Sequence, residues 1–569
     1  MEEKGREKVI QKRILTDITD TPELEDDSTK SIHQNQNQNQ DSKLKSKRNN
    51  PSAWTILAIL SSTLLAVMFA ETMLLPALPD IMGEFKISYS TSAWIFSAYL
   101  IVAAVMTPIS GKLSDIYGKK KILLILLAIY TSSILAGGFS NSVSFLLVSR
   151  VFQGVSLSAV PVAFSIVRDV FPAKKLAIAV GIFGSAYSGG SVVGLLVGAS
   201  IVQSFGWHTT FFFIAPVAAV VTAMISRFVR TDIINNNKSQ LVERKGEEEG
   251  EEEGAIGISS SIDTNVEEEE VGINDVDDNN NINNSKSVDI KGAITLSAAI
   301  VSFLVALTLL ESGGGASTSI SELQIAGILG VSIVSLTVFV FIERRTESPL
   351  VDLKLLRHKT LLPSYIIMVS IGITMFLVYP TIVQLVRSPQ PIGFGGNAVA
   401  AANVQLPFMI VFLILASSTA FIISKVGSMK PTIAGTIIAV IGTFSILMFH
   451  SSELLVSTNL AIIATGLALT STSIWNIIVS SAPKQYVGIS TGIGAVLLFL
   501  GMAIGPAIAG MYMQKHQVTV NGISSTFPSS ESYNMVFFTA AVLSIVSIAF
   551  TVILKRRMQK LEEVSNVNG

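Results

Sequence analysis

The chain has 569 residues, of which 49% are hydrophobic and only 14% are charged, and its mean hydropathy is +0.57. Because soluble globular proteins carry about 25% charged residues, this composition excludes a soluble enzyme, a nucleic-acid-binding protein and a disordered scaffold. A membrane protein with many spans remains. The absence of cysteine excludes disulfides and thiolate chemistry, and the five histidines are too scattered for a metal site, so we expect no metal and no cofactor.

Two hydrophilic stretches accompany the apolar part of the chain. Residues 231–290 contain 17 acidic and four basic residues, and such runs of like charge cannot bury enough apolar surface to fold. They predict a disordered tether, with a regulatory or partner-binding role as the alternative. Residues 1–52, with an Asn/Gln repeat and a basic cluster before the first apolar run, predict a disordered N-terminal tail.

Fourteen apolar runs predict membrane-spanning helices, because a span requires roughly 20 apolar residues. Six runs form a predicted N-terminal six-helix bundle at 53–230. After the acidic stretch come two inserted spans within 291–343, a C-terminal six-helix bundle at 344–555 and a tail at 556–569. The predicted fold class is therefore an all-α polytopic membrane protein. The runs lie near 53–75, 89–110, 121–140, 145–166, 176–201, 208–229, 291–311, 322–343, 361–385, 403–424, 431–449, 455–480, 487–513 and 533–554.

The distribution of Lys and Arg predicts the orientation, since cytoplasmic loops carry an excess of basic residues. With the N-terminus inside, the outer loops contain only Lys86, Arg387 and Lys515, whereas the inner loops are rich in Lys and Arg. We therefore expect both termini and the acidic stretch in the cytoplasm and the chain in the plasma membrane.

The loop between spans 2 and 3 reads Gly-Lys-Leu-Ser-Asp-Ile-Tyr-Gly-Lys-Lys. Its glycines permit a tight turn, and its aspartate can accept bonds from the N-terminus of a neighbouring helix. The loop resembles the signature loop of the major facilitator superfamily, although Ile116 stands where the family often has Arg. The resemblance implies two six-helix bundles and an aspartate that bonds across them in the outward-facing state; an ordinary basic loop is the alternative. The gating residues implied are Gly111, Asp115, Gly118, Lys119 and Lys120.

Span 4 contains Arg150, Gln153 and Gly154. An arginine within a span requires polar partners or a water-filled cavity. These positions resemble the span-4 motif of proton-coupled members of the superfamily, so we assign Arg150 and Gln153 as proton-coupling candidates. The alternative is an arginine near the outer end of the helix that reaches water.

Spans 5 and 13 contain small residues four positions apart, which let helices pack closely. The pattern in span 5 resembles the superfamily's antiporter motif, with Leu195 in place of Pro and Ala199 in place of the last Gly, and span 13 has a cleaner copy. Repeated halves are typical of transporters, and a plain packing face is the alternative. The helix-packing candidates are Gly154, Gly190, Gly194, Gly198, Gly501, Gly505, Pro506 and Gly510.

The resemblance narrows to the fourteen-span drug:proton antiporter family (multidrug efflux). The span count supports it, as do Trp94 and Tyr99 in span 2 and the segment Arg168-Asp169-x-Phe171-Pro172. Gly206-Trp207-His208 at the start of span 6 also fits, although the family usually has Arg where His208 stands.

Glu71 lies near the outer end of span 1, where the family often has an Asp that here aligns with Ala70. A one-residue shift turns a helical side chain by about 100°. Because burial disfavours a charged carboxyl group, we hypothesise that Glu71 binds a proton or a cation; an interfacial Glu exposed to water is the alternative.

Polar and aromatic side chains in otherwise apolar spans suit amphipathic organic ligands, although each can instead hold helices together. The substrate-cavity candidates are Tyr99, Tyr379, Gln384, Asn403, Gln405, Trp475 and Asn476.

Together these features predict a secondary active transporter that exports amphipathic organic compounds in exchange for protons by alternating access. We expect a monomer in the lipid bilayer with a small organic substrate and no nucleic acid. An exporter of a specific metabolite (an amino acid, peptide or siderophore) is one alternative, and a non-transporting membrane sensor with the same fold is another. A membrane enzyme would require clustered His, Asp or Glu within the spans, which the sequence lacks.

Overall fold

A computed structural model describes residues 52–229, 290–312, 322–346, 353–483, 486–520 and 526–567. Thirteen helical spans in this part of the chain are long and apolar enough to cross a membrane. The helix at Ile290–Ser312 is not among them, so the count of fourteen stays a prediction. The predicted N-terminal tail and almost all of the acidic stretch lie outside the described residues.

The N-terminal half contains six spans and one short helix, α2, that follows the first span. Apolar residues fill each span. The helices are α1 (Ala53–Thr72), α2 (Leu78–Phe85), α3 (Tyr89–Tyr117), α4 (Lys119–Gly138), α5 (Val143–Leu157), α6 (Ala159–Val170), α7 (Ala173–Phe205) and α8 (Trp207–Phe228).

Two inserted helices precede the C-terminal half, which also has six spans. A two-stranded antiparallel sheet pairs Gln517 with Pro528 before the last helix, and that helix continues past 554, the predicted end of the last span. The elements are α9 (Ile290–Ser312), α10 (Glu322–Arg345), α11 (Leu353–Leu356), α12 (Leu361–Arg387), α13 (Ala398–Val426), α14 (Met429–Met448), α15 (Glu453–Ser481), α16 (Val487–Lys515), β1 (Gln517–Thr519), β2 (Thr526–Pro528) and α17 (Ser530–Val567).

Glycines with positive φ join consecutive helices at the sharpest turns. Gly118 (φ 95°) lies between α3 and α4, Gly206 (φ 81°) between α7 and α8, and Gly427 (φ 78°) between α13 and α14. Side-chain-bearing residues rarely adopt such φ values. The turns at Gly118 and Gly427 occupy corresponding places in the two halves.

The predicted fourth span is two helices, because α5 and α6 meet at Ser158. Pro161 has no N–H to donate to the carbonyl of Leu157, so the regular bonding pattern is interrupted there. The Ser158 carbonyl accepts a bond from Ser110 Oγ on α3 at 3.1 Å. The break is thus stabilised by the neighbouring helix.

The glycine stripes bring the same pair of spans together in each half. On α7, a Cβ added to Gly194 would lie 2.5 Å from the carbonyl oxygen of Phe69, and α7 packs along α1. On α16, a Cβ added to Gly505 would lie 2.6 Å from the backbone nitrogen of Leu377, and α16 packs along α12. Only glycine allows approaches this close.

The two halves meet through α3 against α16 and through α7 against α13, and α9 packs on both α3 and α16. We call the end where α1 leads into α2 the Asp80 face, and the end with the turn at Gly118 the Asp115 face. At the Asp80 face, Ser97 Oγ donates to the Ala503 carbonyl across the halves at 2.7 Å. At the Asp115 face, Gly111, Gly181 and Gly488 have no neighbouring atom within 4 Å of an added Cβ. The halves are therefore joined at the Asp80 face, whereas these three glycines near the Asp115 face have open space beside them.

Candidate functional site

A buried carboxyl group lies at the end of α1, inside the molecule. Glu71 is only 5% exposed, and it makes no hydrogen bond or ion pair with any residue that the structure describes; its Oε1 is fully buried without a partner. An unpaired charge is costly in such a place. A carboxyl group held this way can accommodate a proton or a positively charged ligand.

Arg150 on α5 lies within electrostatic range of Glu71, although the two form no ion pair. Arg150 is 1% exposed. Its Nε donates to the Ile95 carbonyl at 2.9 Å and its Nη1 to Gln153 Oε1 at 2.7 Å, and the guanidinium carbon lies 4.3 Å from the centre of the Tyr99 ring. Nη2 has no partner among the described residues. One donor of a guanidinium held by two hydrogen bonds therefore remains without a partner within electrostatic range of Glu71.

A polar network holds Arg150 in place. Gln153 Nε2 donates to Ser149 Oγ at 3.0 Å, and Ser149 Oγ donates to the Ser133 carbonyl on α4 at 2.6 Å. One turn further along α5, a Cβ added to Gly154 would lie 3.0 Å from Val102 Cβ, which fixes α5 closely on α3. The predicted candidates Arg150, Gln153 and Gly154 thus form one unit that orients the guanidinium.

Four tyrosines from both halves lie within electrostatic range of Glu71. Tyr99 and Tyr379 were candidates from the sequence; Tyr130 and Tyr187 were not, because an isolated tyrosine in an apolar span carries no distinguishing pattern. Tyr130 Oη donates to the Ala66 carbonyl at 2.9 Å. Tyr379 Oη is buried without a partner among the described residues.

The C-terminal half contributes an aromatic and amide surface to the same centre. Gln405 Nε2 donates to the Tyr379 carbonyl at 2.5 Å, and Gln405 Oε1 is buried without a partner in the described part of the chain. The Tyr379 ring lies 5.6 Å from Phe408, which stacks on Phe412 at 6.0 Å. Tyr379 and Gln405, both predicted cavity residues, therefore lie together and next to aromatic rings that suit a flat apolar ligand.

Comparison with known proteins identifies the family. Residues 60–506 match the family model described as the Major Facilitator Superfamily. The chain belongs to the Major Facilitator Superfamily. It is 26% identical to multidrug resistance protein 3 of Bacillus subtilis, over 63% of this chain and 59% of that protein. It is 23% identical to the multidrug transporter protein MdtP of Bacillus subtilis, over 82% of this chain and 77% of that protein.

A solved structure shows the same architecture. The crystal structure of the human organic anion transporter MFSD10 matches 88% of this chain and 100% of its own, with a TM-score of 0.54 at 14% identity. The predicted superfamily fold of two six-helix bundles is therefore confirmed. The chain is a multi-pass membrane transporter of this superfamily, and its substrates are small molecules.

The loop that resembles the superfamily's signature loop is anchored within the N-terminal half. Lys119 Nζ forms an ion pair of 2.6 Å with Asp169 Oδ2 at the end of α6, and Lys120 Nζ donates to the Ser226 carbonyl on α8 at 3.0 Å. Asp115 is exposed and forms no bond with the described part of the other half. The absence of a bond from Asp115 to the described part of the other half agrees with the open space beside Gly111 at the same face.

The other predicted cavity residues make contacts of a different kind. Gln384 Nε2 donates to Met82 Sδ at 3.3 Å at the Asp80 face, and Asn403 is exposed on α13. Asn476 Oδ1 accepts a bond from Ser428 Oγ at 2.6 Å near the Asp115 face, and Trp475 packs against Gly494. In this conformation Gln384, Asn476 and Trp475 hold helices together.

Proposed function

We propose that this transporter exports amphipathic organic compounds, cations among them, in exchange for protons, and that Glu71 is the group at which proton and substrate compete. The observation that carries the proposal is the buried, unpartnered Glu71 carboxyl within electrostatic range of Arg150, whose Nη2 is also unpartnered among the described residues. The relatives named for multidrug resistance and multidrug transport support the substrate class.

The chemistry follows from the cost of an isolated charge in a dry environment. When Glu71 carries a proton, the carboxyl group is neutral and needs no counter-charge. When the proton leaves, the negative charge requires either Arg150 or a cationic substrate as its partner. A substrate and a proton thus exclude each other at Glu71, and Tyr379 and Phe408 would contact the flat apolar body of the substrate.

Orientation in the membrane gives the direction of the cycle. The excess of Lys and Arg in the predicted inner loops supports an orientation with both termini in the cytoplasm and the chain in the plasma membrane. The Asp80 face is then extracellular, and the conformation with an open Asp115 face is the inward-facing state, in which a monomer loads its substrate.

Binding-linked proton release tests the proposal. Purified protein in weakly buffered detergent would be titrated with ethidium or tetraphenylphosphonium while a pH dye follows the free protons. We expect proton release on binding in the wild type and in Glu453→Gln, which removes an exposed carboxyl at the start of α15. Glu71→Gln should bind without releasing protons; release that persists in Glu71→Gln, or failure of the wild type to bind either cation, would refute the proposal.

A further inference from the structure

The short helix α2 and the turn before it link the two halves at the Asp80 face. On one side, Trp207 Nε1 of α8 donates to Glu84 Oε2 at 2.7 Å, and the Trp207 ring packs edge-on against Phe85 at 5.7 Å. These contacts lie within the N-terminal half, so they attach α2 to that half whichever face is open.

On the other side, α2 is bound by an arginine of the C-terminal half. Arg387, at the end of α12, donates through Nη1 to Asp80 Oδ2 at 2.5 Å and through Nη2 to Asp80 Oδ1 at 2.7 Å. Its Nη1 also donates to the Pro76 carbonyl at 2.9 Å. A two-pronged arginine–carboxylate pair is among the stronger polar contacts in proteins, and the negative end of the α12 dipole favours a cation there.

The segment between α1 and α2 is stiff. Successive backbone bonds join Met73 to Phe69 (2.9 Å), Ala77 to Leu74 (3.1 Å) and Ile81 to Ala77 (3.0 Å), and Met73, Leu74 and Ala77 are completely buried. A buried and hydrogen-bonded segment therefore connects Asp80 to the end of α1, where Glu71 lies.

We propose that the Asp80–Arg387 pair is the lock that holds the Asp80 face closed. The pair joins opposite halves, so it must break when that face opens, while the Glu84–Trp207 bond remains. This inference rests on the alternating access of the proposed function, but it concerns the balance between two conformations and not the identity of the substrate or the coupling ion.

Because the chain has no native cysteine, one introduced thiol reports opening cleanly. Ser92 lines the small gap between α3, α12 and α16 at the Asp80 face and is 3% exposed. In a Ser92→Cys background, the rate of reaction with a water-soluble maleimide measures how often that face opens. Protein in lipid nanodiscs presents both faces to the reagent, and no substrate is needed.

Asp80→Asn and Arg387→Gln should each raise the labelling rate about tenfold, since each removes hydrogen bonds to a charged group. The exchange Asp80→Arg with Arg387→Asp should return the rate toward that of the Ser92→Cys parent, which also shows that the variants fold. Lys86→Gln neutralises an exposed charge beside the lock and should leave the rate unchanged.

An unchanged labelling rate in both single variants would contradict the proposal that the Asp80–Arg387 pair is a lock. So would labelling that stays high in the exchanged pair, or that rises equally in Lys86→Gln. Failure of the proposed function is distinguishable, because a transporter with another substrate or coupling ion would still show the tenfold change in labelling.

Discussion

In the N-terminal half, Gly190 and Gly194 of α7 pack on Leu65 and Phe69 of α1; in the C-terminal half, Gly501 and Gly505 of α16 pack on Val369 and Ile373 of α12. This shared register aligns Glu71 with Met375. Ser142 and Ser452 are the N-caps of α5 and α15, and the hydroxyl of each accepts a hydrogen bond from the backbone N–H three residues later. Superposing these two caps aligns Arg150 with Leu460 and Gln153 with Ile463.

Two halves with one packing scheme therefore carry different chemistry at the same positions. The N-terminal half has a carboxyl, a guanidinium and an amide where the C-terminal half has Met375, Leu460 and Ile463. Packing constrains backbones through small residues, whereas ionisable groups persist in a span only where a function offsets their burial. The difference supports the proposed charge movement in the N-terminal half and the proposed contact with an apolar ligand in the C-terminal half.

The largest expected effect comes from exchanging the aligned pair of positions. Glu71→Gln should reduce ethidium uptake driven by an imposed pH gradient in proteoliposomes to background, because the amide cannot exchange a proton. Met375→Gln introduces the same side chain at the aligned position and should retain uptake. Equal loss of uptake in the two variants would contradict a special role of Glu71, because a glutamine at either aligned position would then disable the transporter.

Arg150 should matter less than Glu71 but far more than its aligned residue. Arg150→Met removes the bonds to Ile95 and Gln153 and the counter-charge for Glu71, so we expect uptake to fall at least about tenfold. Leu460→Met keeps an apolar residue in the same packing position and should change uptake little. Normal pH-driven uptake by the Arg150→Met variant would contradict a role of the guanidinium group in transport.

Substitution of the packing glycines should lower stability by a similar amount in the two halves. Gly194→Ala and Gly505→Ala each force a methyl group against backbone atoms, so each should lower the free energy of unfolding by about 1–3 kcal/mol. Gly189→Ala places the methyl group in open space and should cause no loss. Thermal unfolding in detergent measures all three; a loss confined to one half would contradict equivalent packing.

The smallest effect is expected at the aligned helix caps. Ser142 Oγ accepts from Phe145 N at 3.3 Å and Ser452 Oγ from Leu455 N at 3.4 Å. Replacing either serine by alanine should lower stability by about 1 kcal/mol, with no change in ethidium binding. Clearly unequal losses in denaturant titrations would argue against the alignment of Arg150 with Leu460.

Much of the fold could be predicted from the sequence, because span length and apolar composition are local properties. The glycine stripes of spans 5 and 13 also predicted close packing, although only the structure names their partners, α1 and α12. Helix α2 was missed as a helix, despite Pro79 and Asp80 in its first turn, because eight residues give too short a pattern.

The site was less accessible to prediction than the fold. Arg150 and Glu71 stood out singly because charge in a span is rare, but their proximity depends on how α1, α3 and α5 pack. The pairing of Asp80 with Arg387 joins residues 307 positions apart, and in the sequence both resemble ordinary loop charges. Contacts between distant, unremarkable residues carry no sequence pattern, so only the three-dimensional arrangement reveals them.

The central claim is that protons and organic cations exchange at Glu71. Its most direct test is proton movement driven by substrate alone: an ethidium gradient is imposed across proteoliposomes at equal pH, and an internal dye follows the pH. We predict that downhill ethidium movement drives protons in the opposite direction in the wild type and in Met375→Gln, and that Glu71→Gln abolishes proton movement. Proton movement of undiminished size in Glu71→Gln would contradict the account.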